Sequence, residues 1–315
     1  MKVLVALLVL VAVFWIVTLW KANRHELRAE AAFPPSGEFL EVDGIRVHYV
    51  IKGQGPDLVL IHGASGNLRD MTFSLVDKLA RDYRVVAFDR PGLGYTDRMD
   101  PKGTTIVQQA GLLSKAAEEL GMDHPIVLGQ SYGGSVALAW AVHHPENVSA
   151  IVTLGSPSLP WDTGLSTYYR LTSSRWLGPI VNPVLAAWVP DRVVEDAIDA
   201  VFEPQDAPQG YGAHIGAPLT LRRQTITANA LQRAQLLEQV RALEPRYGEI
   251  NVPIEMVHGA ADTTVGVSIH SAPFAERYPN ANLVTLEGIG HMPHHVREGA
   301  VLEAIHRAAS RAGLR

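Results

Sequence analysis

The sequence predicts an α/β protein built on a mostly parallel sheet, and three observations carry that prediction. The runs DLVLIHG (57–63), AIVTL (150–154) and PIEMVHG (253–259) are nearly continuously apolar, as strands buried on both faces are. Stretches of helical periodicity alternate with them. One long segment, about 156–248, breaks the alternation without offering a strand.

The elements follow in chain order. From Val3 to Trp20 no residue is charged and only Thr18 is polar. That length is near the minimum for a bilayer-spanning helix, about 18 residues, and exceeds the apolar core of an export signal. Trp15 and Trp20 suit an interfacial position, with Lys21, Arg24 and Arg28 as a basic flank. The competing prediction, a cleaved signal, has only Ala29-Glu30-Ala31 as a cleavage site, too far downstream. We expect residues 1–20 to be a single-pass anchor whose partner is the lipid bilayer. Lys2 and the α-amine compete with the downstream cations, so orientation stays open. Residues 21–38 predict a polar, Pro-containing linker.

FLEV and IRVHYVIK then predict a hairpin through Asp43-Gly44. Beyond DLVLIHG come a helix over 67–81, a strand over 84–89 and a helix over 105–120 closed by Gly121. A strand at 125–129 runs into a helix from Gly133 to His144, and 150–154 is again a strand. The interruption at 156–248 is too long for a loop and predicts a helical cap, with helices over 191–202 and 218–243. After it, 249–315 returns to the pattern of 39–155. It offers strands at 253–259 and 281–288 and helices near 268–277 and 296–311.

Composition excludes several functions. The chain has 315 residues, a net charge of -5 and no cysteine. Disulfides, thiolate metal sites and a cysteine nucleophile are therefore absent. No Lys/Arg run offers a nucleic-acid footprint. His143-His144 and His294-His295 lack metal-ligand spacing, and neighbouring side chains on a helix point apart, so no metal or other cofactor is expected.

The chemistry centres on Gly129-Gln130-Ser131-Tyr132-Gly133-Gly134, placed between a strand and a helix. A serine in so tight a turn needs small neighbours, and the turn aims Oγ at the positive end of the next helix. A hydroxyl also needs a general base. His291, directly after the last strand, lies at the sheet edge that carries Ser131, and His294 and His295 are its rivals. Asp262, just after PIEMVHG, is the candidate carboxylate, ahead of Asp162 and Glu287. Tyr132 and Ala64 are the candidate backbone donors to an oxyanion. His62 is expected to hold the loop that carries Ala64.

The stretches LVLIHGASGN, VVAFDRPGLGYTD, GQSYGG, HGAAD and GIGHMPHHV resemble the α/β-hydrolase superfamily over nearly all of the chain beyond residue 38. The resemblance implies an eight-stranded, mostly parallel sheet, a helical cap and a Ser131-His291-Asp262 triad. It looks like membrane-bound esterases and monoacylglycerol lipases, and also like carbon–carbon bond hydrolases and cofactor-free haloperoxidases. Haloalkane dehalogenases and epoxide hydrolases hold Asp where this elbow holds Ser, so those activities are not expected. The expected substrate is a small apolar or amphiphilic ester, with a thioester, an amide, a β-diketone or a slow-turnover binding role as alternatives. Trp161, Tyr168, Tyr169, Leu171, Trp176, Leu177 and Trp188 either line its pocket or form the cap's own core.

Overall fold

A computed structural model describes residues 1–315. Eight strands form one sheet: β1 (Glu38–Val42), β2 (Ile45–Lys52), β3 (Asp57–Ile61), β4 (Arg84–Phe88), β5 (Ile126–Gln130), β6 (Ala150–Leu154), β7 (Ile254–Gly259) and β8 (Ala281–Leu286). Their spatial order is β1-β2-β4-β3-β5-β6-β7-β8. β1 and β2 pair antiparallel through Asp43 and Gly44, both at positive φ as a tight hairpin turn requires. From β4 to β8 every pairing is parallel. The chain order reverses direction around β3, which lies between β4 and β5. A crevice forms at such a switch, outside the carboxyl ends of the strands.

Strand residues alternate between two cores. Val59, Ile61, Val86, Phe88 and Val127 pack under α4 (Ile106–Glu119) and α5 (Tyr132–His143). Leu58, Leu60, Val85, Ala87 and Leu128 face the other way, toward Leu75, Val76 and Leu79 and toward Val301, Ala304 and Ile305. The helix expected over 67–81 is two short ones, α2 (Arg69–Thr72) and α3 (Leu75–Leu79). α4 starts on a capping box, with Thr105 accepting from Gln108 N and the Gln108 side chain from Thr105 N.

No strand lies between Leu154 and Ile254. That interval folds into α6 (Thr167–Thr172), α7 (Gly178–Trp188), α8 (Asp191–Phe202), α9 (Tyr211–Ile215) and α10 (Arg223–Leu243). Leu236, Val240 and Leu243 at the end of α10 join the main core, which fixes the insertion to the sheet. The C-terminal part adds α11 (Ser271–Arg277), α12 (Pro293–Val296) and α13 (Glu298–Arg311).

The N-terminal expectation needs one correction. α1 runs unbroken from Lys2 to Ala32, so residues 21–32 are helix and not linker. Nothing in KANRHELRAEAA breaks a helix, and Pro34-Pro35 supply the stop. This second half docks on the cap. Ala22 is buried with Ala186, Leu221 and Ile226, and Arg223 makes a forked pair with Glu26 at 2.7 and 2.6 Å. Arg222 pairs with Glu30 at 3.1 Å. The first half is apolar and largely exposed, and it is long and apolar enough to cross a membrane.

Candidate active site

Ser131 follows β5 directly, with φ 49 and ψ -120, a strained backbone for a residue with a Cβ. Its amide donates to Leu154 O at 2.8 Å, and Gly134 N donates to Ser131 O at 2.9 Å. The neighbouring glycines are required by space. A Cβ on Gly129 would lie 2.1 Å from Gly133 O, and one on Gly133 would lie 2.3 Å from Ile61 O. α5 can therefore begin hard against β3 and β5, its amino end toward the serine. The Ser131 hydroxyl makes no hydrogen bond within the protein and opens on a cavity.

Parallel register brings the remaining groups to the same rim. Ile61 is paired with Gly129, and Leu154 with both Gln130 and Val257, so the loops after β3, β5, β6 and β7 emerge together. Asp262 lies just beyond β7 and accepts from His291 Nδ1 at 2.7 Å. Its other oxygen accepts from the Thr264 and Val265 amides, each at 2.8 Å. Burial alone would raise this carboxyl, but hydrogen bonds from His258 and His291 and from the Val265 amide hold it well below the usual range. Asp262 is thus an anion that fixes one His291 tautomer, leaving Nε2 free to take a proton. Asp162 and Glu287 are both exposed, and neither bonds His291. Ser131 and His291 line the same cavity without a direct hydrogen bond, a contact that often forms only when substrate is bound.

Two supports escaped the sequence. His258, buried, stands 3.3 Å from Asp262 Oδ2 while bonding Ser271 and Val265 O. Gln205 reaches from the cap to Gly288 O and Gly290 N, at 2.7 and 2.9 Å, and so holds the His291 loop. HGAAD contains His258, but no periodicity marks Gln205.

His294 and His295 are engaged elsewhere. Contrary to the expectation that adjacent side chains diverge, both rings turn to Asp70, at 3.1 and 2.8 Å, and Tyr211 donates to the same carboxylate at 2.7 Å. Both lie in a four-residue helix, where the His295 ring packs against Phe202 and Phe73 and the His294 ring lies 4.0 Å from it. Burial would raise Asp70, but the two imidazoles hold it well below its usual value. The three groups could approach a metal ion. However, neither Nδ1 has a partner, whereas a metal-bound imidazole donates its second N–H. Asp70 itself accepts from three donors, Tyr211, His294 and His295.

The loop after β3 presents Ala64. Its amide finds no acceptor within the protein, and Tyr132, first in α5, has no intrahelical acceptor for its own. His62 accepts from Arg90 N at 3.0 Å and donates to Gly63 O at 2.8 Å. Burial and the nearby Arg90 push its pKa down to about 4, so this ring is a neutral strut, as expected. Arg90 donates to His62 O and Gly63 O and lies over the Tyr132 ring at 4.2 Å. Asn229 of α10 clasps Ser65 through two bonds of 2.8 Å, another support the sequence left unmarked.

Over Ser131 lies a cavity of about 680 Å³, walled mainly by apolar side chains of α8, α9 and α10 and by Leu185 and Val189. Tyr168 and Tyr169 line it. Trp161, Trp176 and Trp188 do not, nor do Leu171 and Leu177. Trp161 packs edge-on against His270. Trp176 is 77% exposed. Trp188 stacks on Phe14 at 6.2 Å and donates to Thr18 at 3.0 Å. The three tryptophans thus leave the cavity to Tyr168, Tyr169, Phe202 and Tyr211, and α8 supplies much of the wall through Val193, Val194, Ala197, Ile198 and Val201.

Known proteins agree with this architecture. The family model described as alpha/beta hydrolase fold matches residues 56–298. A pimeloyl-[acyl-carrier protein] methyl ester esterase of Vibrio atlanticus is 28% identical over 251 residues, which is 74% of this chain and 88% of that protein. A haloalkane dehalogenase of Mycobacterium tuberculosis is 30% identical over 146 residues, 45% of this chain. The chain spans half or less of some curated relatives, 50% of that dehalogenase and 40% of a dihydrolipoyllysine-residue acetyltransferase component of the acetoin cleaving system of Cupriavidus necator. The crystal structure of a membrane phospholipase A, 23% identical, superposes with a TM-score of 0.65 over 100% of this chain and 97% of that one. On a match that takes in six of the eight strands, the elbow and the cap, this chain belongs to the alpha/beta hydrolase fold family.

Proposed function

We propose that the chain is a serine hydrolase that cleaves carboxylic esters of apolar or amphiphilic compounds. One observation carries the proposal: a strained serine opens on an apolar cavity whose rim also holds a buried His291–Asp262 pair. His291 takes the proton of Ser131 as its oxygen attacks the carbonyl. The Ala64 and Tyr132 amides receive the oxyanion, aided by the amino end of α5. His291 then protonates the leaving alcohol, and water releases the acyl group by the reverse sequence. A serine at the elbow favours acyl transfer over dehalogenation or epoxide opening, for which the family uses Asp.

Residues 3–20 anchor the protein in a bilayer. The run Val3–Trp20 is 18 residues, about 27 Å at 1.5 Å per residue, close to the thickness of the hydrocarbon core. Trp188 at the end of α7 stacks on Phe14, inside the apolar run, and Trp176, Leu177 and Ile180 are exposed nearby in sequence. The cap therefore meets the interfacial layer, where amphiphilic esters reside.

Labelling with a fluorophosphonate probe tests the chemistry. The expected adduct maps to Ser131 and is lost in Ser131→Ala and strongly reduced in His291→Ala. A chain that resists the probe while a control esterase reacts, or an adduct on another serine, overturns the proposal.

A further inference from the structure

The charged groups around the cavity are engaged, with one exception. Asp70 accepts three hydrogen bonds and His291 holds Asp262. Arg233 also lines the cavity, yet its side chain forms no ion pair and no hydrogen bond within the protein. The contrast with other arginines at the cap is sharp. Arg90 has four acceptor groups, and Arg222 and Arg223 each hold a glutamate of α1.

What Arg233 does have is aromatic support. Its guanidinium lies 5.4 Å from the Trp161 ring centroid and 5.9 Å from that of Tyr169. Such contacts hold the plane of the group and leave its N–H edge for an acceptor. A guanidinium has five donors, and those of the half-buried Arg233 have no partner in the protein and face only solvent until an acceptor arrives. Its position is informative as well. Thr225, Asn229, Arg233 and Leu236 form one stripe of α10 facing the cavity. Asn229, which clasps the loop of Ala64, is one turn away, about 6 Å along the helix. Burial pushes the Tyr132 phenol up to about 12, with Arg90, a hydrogen bond from Gln109 and, least of the three, Arg233 pulling the other way.

We infer that Arg233 is an anion-binding residue of the substrate cavity, and that the preferred substrates are amphiphilic esters with a phosphate or carboxylate a few bonds from the scissile carbonyl. This inference rests on the ester-hydrolase proposal. It adds a charge requirement that an apolar cavity alone would not impose.

Three esters of one fatty acid test it in detergent micelles with the full chain: 1-acylglycerol 3-phosphate, the 3-acyl ester of glycerate, and 1-monoacylglycerol. At least one anionic ester should exceed the neutral one by about 10–100-fold in kcat/KM, the range of a charge-assisted hydrogen bond. Which one leads tells phosphate from carboxylate. In Arg233→Gln the anionic-to-neutral ratio should fall toward one, and Arg233→Lys should keep part of it. A ratio near one in the wild type, or one unmoved by Arg233→Gln, overturns the inference and leaves ester hydrolysis standing. Should no ester turn over, calorimetric binding of dodecyl phosphate to Ser131→Ala and to Ser131→Ala/Arg233→Gln separates the two claims. Tighter binding by the former keeps the anion site, and equal binding removes it.

Discussion

At the scale of single residues, the proposed chemistry depends on groups held in one protonation state. Asp262 is kept ionised by three hydrogen-bonded neighbours, and so orients His291. Asp262→Asn keeps the shape but cannot impose the tautomer. We expect kcat on a wild-type ester substrate to fall about 10³–10⁴-fold while the thermal melt still shows a cooperative fold. His62 makes a different prediction. Its folded pKa of about 4 lies below the unfolded value of about 6.5, so the unfolded chain binds the extra proton between them. Its contribution is full above about pH 6.5 and is lost as pH falls toward 4, on the order of 3 kcal/mol for so buried a ring. Melting temperature should therefore drop over that window, and His62→Asn should flatten the slope. A slope equal in both proteins would show that His62 titrates normally.

At the scale of elements, the elbow and α1 are the two parts with most at stake. A Cβ on Gly133 would press into the backbone of Ile61, which cannot yield without parting α5 from β3. Gly133→Ala should abolish soluble, cooperatively folded protein, or cost several kcal/mol where some folds. α1 divides by role. Removing residues 2–20 should release the protein from the membrane fraction, read by carbonate extraction, while Glu26–Arg223 still clamps the remainder to the cap. Removing 2–32 also exposes Leu221 and Ile226 and unpairs two arginines, so its melting temperature should fall at least about 2–4 °C below that of the shorter truncation. Equal melting temperatures would mean the docked half adds nothing. The sequence disclosed the apolar half through its uninterrupted character. It hid the docked half, because residues 21–32 are polar for contact with cap residues almost 200 positions away.

At the scale of the whole molecule, the site is a product of topology. Parallel strands share a carboxyl edge, so residues 64, 131, 262 and 291 converge although they span most of the chain. That much was legible without coordinates. Strand class follows from apolar continuity, the elbow from small residues flanking a serine, and the Ser131, Asp262 and His291 candidates from their places after three strands. The apolar, anchor-length N-terminus was equally plain. The tertiary structure alone decided which side chains face the cavity, turning Trp161, Trp176 and Trp188 away and bringing the α8 valines and Arg233 in. It also gathered His294, His295 and Tyr211 on Asp70. Periodicity reports that a helix has an apolar face, but the partner of that face is set by how helices pack, and packing is a property of distant residues meeting.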